Sequence, residues 1–299
     1  MKVQQIINTA KAKNRAIVAF NASNLELVQA ITEAANELHC PIFLQASQGA
    51  IKYSGMKYLT ALVNAARESV KIPIILHLDH GETFESCKQA IDNGFDSVMI
   101  DASHKSFQEN ITLTKQVVDY AHKHGVWVEA ELGVLAGIED NISSDKSLYT
   151  DPAQAKEFIE KTGVNALAIS IGTAHGAFKY KSDPKLRLDI LESIHKLIPD
   201  TPLVLHGASS VTQSDVATIN KYNGEIKNAL GVSESVLAET LKFGVRKINI
   251  DSDLRLAFTA ALREYLHLHP SHFDPRQYLG AARLHVKELV KKKLHSFSL

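Results

Sequence analysis

The sequence predicts a (β/α)8 TIM barrel, an α/β fold, in a single domain. The chain has 299 residues, short apolar runs alternate with helical segments throughout, and polar or ionisable residues follow the end of each apolar run. Its length does not require two domains, since α/β barrels often reach this size as one unit. We therefore expect one barrel domain over residues 1–299, with a helical extension over about 270–299.

The strand prediction depends on eight apolar runs. They are rich in Val, Ile, Leu and Ala rather than alternating with polar residues, which is typical of parallel strands buried on both faces. The predicted strands are 16–20, 42–46, 74–79, 97–101, 126–131, 166–171, 203–206 and 247–250.

Helical segments fall between these strands, and their ends carry capping signals. Ser23 or Asn24 can cap the first helix, and glycines follow several later ones. The predicted helices are 25–38, 83–93, 108–124, 152–162 and 275–293.

An open doubly wound sheet is the competing fold, but it rarely needs eight parallel strands, and the glycine-rich dinucleotide turn is missing after the first strand. We predict that segment 135–150 is a long polar loop, which in a compact domain is usually functional or disordered.

Composition excludes several classes of function. The 33 basic and 33 acidic residues give no net charge, and the basic residues are dispersed, so we expect no nucleic-acid partner. Two cysteines offer neither a disulfide framework nor a paired metal motif. The amino terminus lacks the apolar core of a signal peptide, and no apolar run is long enough for a membrane span. We expect a cytoplasmic protein with no membrane partner.

Three histidines stand at or just past the ends of predicted strands, each followed directly by glycine: His80, His175 and His206. A parallel barrel gathers these strand ends at one face, so the three side chains can meet. Three imidazoles with an open fourth position form a catalytic zinc site, although any one of them could be a structural group. We expect His77, three residues before His80, to face the other side of its strand and to be structural.

Carboxylates lie near the same strand ends. Asp79 directly precedes His80 and could donate or accept a proton. Asp101 and Glu131 could cap their strands, or could join Asp79 in an acidic cluster for a second or alternative metal position.

Glycine- and serine-containing turns follow the sixth, seventh and eighth strands, at 176–179, 207–210 and 249–252. Such turns commonly hold phosphate in barrels through backbone N–H groups and helix amino ends. Lys179 could add a positive charge there.

Together these segments resemble the class II, metal-dependent fructose-bisphosphate aldolases. The resemblance covers nearly the whole chain, and it is greater to the shorter branch of the family, which also contains tagatose-bisphosphate aldolases. The matching segments are LHLDHG (76–81), SVMIDASH (97–104), EAELG (129–133), GTAHGAFK (172–179), LHGASS (205–210) and NIDSDLR (249–255).

The resemblance implies a role for each matching position. It implies a catalytic Zn²⁺ on His80, His175 and His206, and a second divalent or a monovalent cation at Asp101 and Glu131. Asp79 would exchange a proton with the C4 oxygen of the sugar, and Glu139 would be the acid of a mobile loop. The implied substrate-binding residues are Ser47 for the aldehyde half, Arg276 for the distal phosphate, and Gly176, Lys179, Gly207, Ala208, Ser209, Asn249, Ile250, Asp251 and Ser252 for the dihydroxyacetone-phosphate half.

The activity implied is reversible cleavage of fructose 1,6-bisphosphate to dihydroxyacetone phosphate and glyceraldehyde 3-phosphate, by a homodimer or homotetramer. Tagatose bisphosphate, which differs at C4, is the alternative substrate.

A Schiff-base aldolase would need a buried lysine near a strand end, but Lys247 opens its strand at the wrong end and Lys179 lies in a turn. A metal-dependent hydrolase would commonly carry a His-x-His pair on the first strand, and that strand ends at Asn21 without one. A non-catalytic phosphosugar-binding barrel would not need both the histidines and Asp79.

Overall fold

The computed structural model describes residues 2–139, 142–144, 148–176 and 185–298, with 136–139 and 142–144 described by their backbone only. In this part of the chain, eight parallel strands close into a barrel, and three short strands form a separate small sheet. The strands are β1 (Ile17–Asn21), β2 (Ile42–Ser47), β3 (Ile74–Gly81), β4 (Ser97–Ile100), β5 (Trp127–Leu132), β6 (Ala136–Glu139), β7 (Ile142–Ser144), β8 (Ala166–Ile169), β9 (Ala174–His175), β10 (Leu203–Leu205) and β11 (Val245–Ile250).

The order around the barrel is β1-β11-β10-β8-β5-β4-β3-β2, and every neighbouring pair is parallel. This arrangement confirms the predicted TIM barrel. All eight predicted strands are present, with bounds that differ by a few residues at either end.

In the described part of the chain one helix precedes the first barrel strand, two follow the last, and the others lie between barrel strands in sequence. The helices are α1 (Val3–Ala12), α2 (Leu25–Glu37), α3 (Gln48–Ser54), α4 (Met56–Ser69), α5 (Phe84–Asp92), α6 (Phe107–Lys123), α7 (Pro152–Thr162), α8 (Leu188–Leu197), α9 (Gln213–Lys221), α10 (Glu234–Thr240), α11 (Ser252–Leu268) and α12 (Pro275–Phe297). The side chain of Asn24 accepts the N–H of Leu27 and caps α2 as predicted, and Gly163 ends α7 in the left-handed conformation.

The barrel interior is apolar at its amino end. Residues there, including Ile17, Phe43 and Trp127, form one buried cluster with the apolar face of α1. The indole N–H of Trp127 donates to the side-chain oxygen of Gln4 at 3.2 Å. Helix α1, which the sequence analysis did not predict, therefore closes this end of the barrel, and the opposite end is left for polar groups.

Segment 135–150 differs from the predicted loop. Strand β6 pairs antiparallel with β7 and parallel with β9, so part of this segment forms a small sheet beside the barrel. The pairing places Gly137 opposite His175, and the segment therefore begins next to one of the three histidines.

Helix α12 packs against α2 and α11 on the outside of the barrel. It extends to Phe297, four residues beyond its predicted end at 293. Its buried face includes Val286, Val290 and Leu294. Among the described residues, no helix is both long enough and apolar enough to cross a membrane.

Candidate active site

The carboxyl half of the barrel interior is lined by ionisable and amide side chains. Residues two apart on a strand point to the same face, so paired polar residues such as Glu129 and Glu131 on β5 both lie inside, and both are buried. Burying such groups is costly unless they bind one another or a ligand. This concentration of polar groups therefore marks a binding site.

The three predicted histidines meet at this end of the barrel. His80 and His206 have ring centroids 4.6 Å apart, and His80 and His175 lie 5.0 Å apart. Each histidine is buried, and one nitrogen from each ring lies within 4.8 Å of the others. The structure thus brings together side chains that are separated by up to 126 positions along the chain.

A distorted strand end directs His80 into the cluster. The pairing of β3 with β4 shifts register between Leu78 and Gly81, and His80 has a φ of +50°. A non-glycine residue with positive φ is uncommon and often marks a functional position. The next residue must be glycine, because a Cβ on Gly81 would overlap the carbonyl oxygen of Met99.

Two carboxylates fix which ring nitrogens face the centre of the cluster. Nδ1 of His80 lies 2.8 Å from Oδ2 of Asp101, and Nε2 of His206 lies 2.6 Å from Oε1 of Glu129. Because an ionised carboxylate only accepts hydrogen bonds, both of these nitrogens carry the proton. In the neutral imidazoles that bind a metal, the opposite nitrogens, Nε2 of His80 and Nδ1 of His206, are the acceptors, and they lie 3.0 Å apart.

This donor set fits a zinc ion. Zinc–nitrogen bonds of about 2.0–2.1 Å hold ligand nitrogens roughly 3–4 Å apart, and the pair from His80 and His206 already has that spacing. Carboxylates on the far nitrogens of zinc-binding histidines are the usual second layer of such sites. A second group that could hold a cation consists of His80, Asp101 and Glu131, so Asp101 both orients His80 and borders this position.

Asp79 lies beside the histidines in a cradle of amide groups. Its Oδ2 accepts from Asn21 at 2.8 Å and from Gln45 at 3.1 Å, and its Oδ1 accepts from Asn249 at 3.2 Å. The sequence did not predict that Asn21 and Gln45 are partners of Asp79. Hydrogen bonds to a carboxylate favour its charged form.

Electrostatics also keep Asp79 ionised. Full burial by itself raises the pKa of Asp79, but electrostatic interactions with His80, His206 and Lys247 outweigh burial, and the pKa lies below its ordinary value. Asp79 is therefore ready to accept a proton.

Comparison with known proteins identifies the family. The model of the family "Fructose-bisphosphate aldolase class-II" matches residues 1–299. This chain belongs to the class-II fructose-bisphosphate aldolase family. A fructose-bisphosphate aldolase of Giardia intestinalis is 48% identical over 99% of this chain and 92% of its own length, and one of Thermus caldophilus is 47% identical over 98% and 96%. The crystal structure of a putative fructose-1,6-biphosphate aldolase from Coccidioides immitis is similar with a TM-score of 0.84 at 27% identity, covering 99% of this chain and 96% of that one.

In this class-II aldolase chain, a buried ion pair lies beneath the histidine cluster. Nζ of Lys247 is 2.8 Å from Oε2 of Glu129, and both side chains are fully buried. The same Nζ lies 3.3 Å from Nε2 of His77. Glu129 therefore links Lys247 to His206, a connection that could not be predicted from the sequence.

Two sequence predictions are wrong here. Lys247 does not open its strand: β11 begins at Val245, and the lysine side chain points into the barrel. His77 does not face away from the cluster, because the distortion at His80 lets both histidines reach the barrel interior. Burial and the charge of Lys247 lower the pKa of His77 to about 3, so His77 is neutral.

The turns after β10 and β11 meet at the same face. Gly207 has a φ of +61°, and a Cβ there would overlap the carbonyl oxygen of Ala174, so the first turn packs directly beside His175. The N–H of Asp251 donates to Oγ of Ser209 at 3.3 Å and joins the two turns. Ala208 and Ile250 are buried behind them, and Ser252 begins α11, whose amino end therefore opens at this site.

The other predicted site residues have different positions. Ser47 lies opposite Asp79 in the pairing of β2 with β3 and caps α3 through the N–H of Ala50. Gly176 follows His175 directly. The Arg276 side chain is 90% exposed, and its guanidinium pairs with Asp274 in the same chain. Lys179 and the side chain of Glu139 lie outside the described residues.

Proposed function

We propose that this protein catalyses the reversible aldol cleavage of fructose 1,6-bisphosphate to dihydroxyacetone phosphate and glyceraldehyde 3-phosphate. The observation that carries the proposal is the meeting of three buried imidazoles with the ionised carboxylate of Asp79 at the carboxyl end of the barrel. Family membership supports the same activity, since the relatives at 48% and 47% identity are named fructose-bisphosphate aldolases.

His80, His175 and His206 would hold the catalytic Zn²⁺. Bound there, the ion supplies Lewis acidity toward the oxygens next to the cleaved bond and so stabilises negative charge on the dihydroxyacetone-phosphate fragment. Asp101 and Glu131 would serve a second divalent or a monovalent cation, in a position that they share with His80.

Asp79 would act as the acid–base group at C4. In cleavage its carboxylate takes the proton of the C4 hydroxyl, and in condensation it returns that proton to the C4 oxygen. The amides of Asn21, Gln45 and Asn249 hold the carboxylate in one orientation. Because those amides come from three different strands, the barrel itself fixes the direction of proton transfer.

The turns after β10 and β11 would bind the dihydroxyacetone-phosphate half. Backbone N–H groups and the amino end of a helix suit a phosphate dianion. The residues proposed for this half are Gly176, Lys179, Gly207, Ala208, Ser209, Asn249, Ile250, Asp251 and Ser252.

Three further residues would complete the reaction. Ser47, beside Asp79, would contact the aldehyde half, and Glu139 would handle the proton at C3 of the released fragment. Arg276, exposed in a single chain, would bind the distal phosphate in the site of a partner subunit, so we propose a homodimer or homotetramer. We place the enzyme in the cytoplasm.

The direct test is cleavage by the purified, zinc-loaded protein, with dihydroxyacetone phosphate measured as product. Fructose 1,6-bisphosphate and tagatose 1,6-bisphosphate are compared, because they differ only in configuration at C4, the carbon that Asp79 would serve. We expect a higher kcat/KM for the fructose compound. A preference for the tagatose compound would reassign the substrate within the family. If the protein cleaves neither compound, the proposal is overturned.

A further inference from the structure

A lysine of the last helix is buried next to the proposed phosphate site. Lys293 of α12 has no exposed surface, and its Nζ lies 2.8 Å from Oδ2 of Asp253 and 2.9 Å from Oε1 of Glu234. It also donates to the hydroxyl of Ser210. A buried ammonium is costly unless it is paired and hydrogen-bonded, and Lys293 meets this condition through Asp253, Glu234 and Ser210.

Asp253 connects Lys293 to the turn after β10. Its Oδ2 accepts the N–H of Ser210 at 2.9 Å, and its Oδ1 accepts the N–H of Val211 at 2.6 Å. Asp253 is itself fully buried. One carboxylate therefore binds two consecutive backbone N–H groups at the end of the turn that begins at Gly207.

The backbone of this turn is strained at the point where Asp253 holds it. Val211 has a φ of +55°, in the left-handed region, which β-branched residues rarely adopt. Such conformations persist only where the surroundings impose them. On the other side, Gly231 leaves no room for a Cβ against the backbone of Ser209 and Ser210. The shape of the turn thus depends on contacts from outside it, and Asp253 makes two of them.

We propose that Lys293 is a positioning residue for phosphate binding: through Asp253 and Ser210, it holds the turn 207–211 in the conformation that receives the phosphate of the dihydroxyacetone-phosphate half. This inference rests on the proposed aldolase function. The charge of Lys293 has a second effect, because Asp253 without it would be an uncompensated buried anion beside a turn that must receive a dianion.

The test compares Lys293→Met with Lys292→Met, in which the neighbouring exposed lysine of the same helix is changed. In the zinc-loaded protein we measure kcat and KM for fructose 1,6-bisphosphate, and the half-saturating concentration of dihydroxyacetone phosphate in C3 proton exchange. Lys293→Met should raise KM for fructose 1,6-bisphosphate and the half-saturating concentration of dihydroxyacetone phosphate, each by roughly tenfold to hundredfold, as expected when a binding group is displaced. It should change kcat by less than about threefold, because the loss is in binding. Lys292→Met should leave all of these values unchanged.

A double variant separates positioning from folding. Lys293→Met with Asp253→Asn removes both buried charges, which should recover much of the lost thermal stability. An amide supplies one acceptor oxygen where the carboxylate supplies two, so the raised half-saturation values should remain. This variant also keeps the test possible if Lys293→Met alone does not fold.

Two results would overturn the inference. The first is an unchanged KM and an unchanged half-saturating concentration of dihydroxyacetone phosphate in Lys293→Met. The second is recovery of both thermal stability and these two values in the double variant, which would mean that the pair of Lys293 and Asp253 is only structural. Failure of the proposed function looks different. It appears as the absence of cleavage in the unaltered protein and in Lys292→Met, before any variant at position 293 is compared, and it would remove the inference as well.

Discussion

Nε2 of His80 and Nδ1 of His206 face each other at 3.0 Å in the barrel interior. The other nitrogen of each ring donates to a buried carboxylate, Asp101 for His80 and Glu129 for His206. In this structure the amide of Asn249 also approaches Nδ1 of His206, at 3.1 Å. Two acceptor nitrogens at this distance repel unless a cation or a proton lies between them. This spacing therefore suits a positive charge between the two rings, which bound zinc would supply.

Glu129 should control metal affinity without binding the metal. In Glu129→Gln the hydrogen bond to His206 loses its charge, and Lys247 loses its ion-pair partner. Loss of such an outer carboxylate typically costs about 10–100-fold in metal affinity or activity. We expect a zinc Kd raised by this amount in a competition titration with a chromogenic chelator. Glu160→Gln, on the exposed side of α7, is the control. Equal zinc affinities in the two variants would show that Glu129 does not control metal binding.

Asp79 should be needed for turnover and not for metal binding. Asp79→Ala removes the proposed proton acceptor while the three histidines remain. We expect unchanged zinc content and a kcat lower by roughly 10²–10⁴-fold, the usual range for an acid–base group. Asp119→Ala, on the outer helix α6, serves as the control. A turnover close to that of the unaltered protein would show that another group carries the C4 proton.

Glu139 should act on the proton at C3. Its backbone lies in β6, the strand that pairs with β9 beside His175. In Glu139→Ala, exchange of the C3 protons of dihydroxyacetone phosphate with solvent should become slower. The factor of this decrease should be larger than the factor by which the half-saturating concentration of dihydroxyacetone phosphate rises. This exchange is followed by NMR in deuterated buffer, and an unchanged exchange rate would assign the step to a different residue.

Arg276 should bind the distal phosphate from a partner subunit. A guanidinium suits phosphate because it donates two hydrogen bonds at once, yet in a single chain this side chain is exposed and pairs with Asp274. Arg276→Ala should raise KM for the bisphosphate and leave C3 exchange on dihydroxyacetone phosphate nearly intact. Equal damage to both reactions would contradict a role confined to the distal phosphate.

Much of the fold and the histidine cluster could be predicted from sequence, because both depend on short-range patterns. Apolar runs such as 42–46 predict buried strands, and a histidine followed by glycine at three strand ends predicts a cluster once the strands are known to be parallel. Parallel closure places strand ends together whatever their separation along the chain.

The contacts inside the barrel could not be predicted in the same way. The local distortion at His80 allows both His77 and His80 to point inward, which regular strand alternation would not allow. Lys247 appeared to open its strand because β11 begins earlier, at Val245. A signal was nevertheless present: paired polar residues two apart, as at Glu129 and Glu131 on β5, indicate a strand whose inward face is polar near its carboxyl end.

Metal dependence of the cleavage reaction tests the central claim most directly. The protein is stripped with a chelator, its residual metal is quantified, and cleavage of fructose 1,6-bisphosphate is measured while Zn²⁺ is returned. Borohydride is added with substrate in parallel, because Lys247 lies close enough to the site to be considered as a Schiff-base lysine. We predict that activity disappears with the metal, returns in proportion to bound zinc, and leaves no lysine adduct. Full cleavage by demonstrably metal-free protein, with substrate trapped on a lysine, would contradict this account.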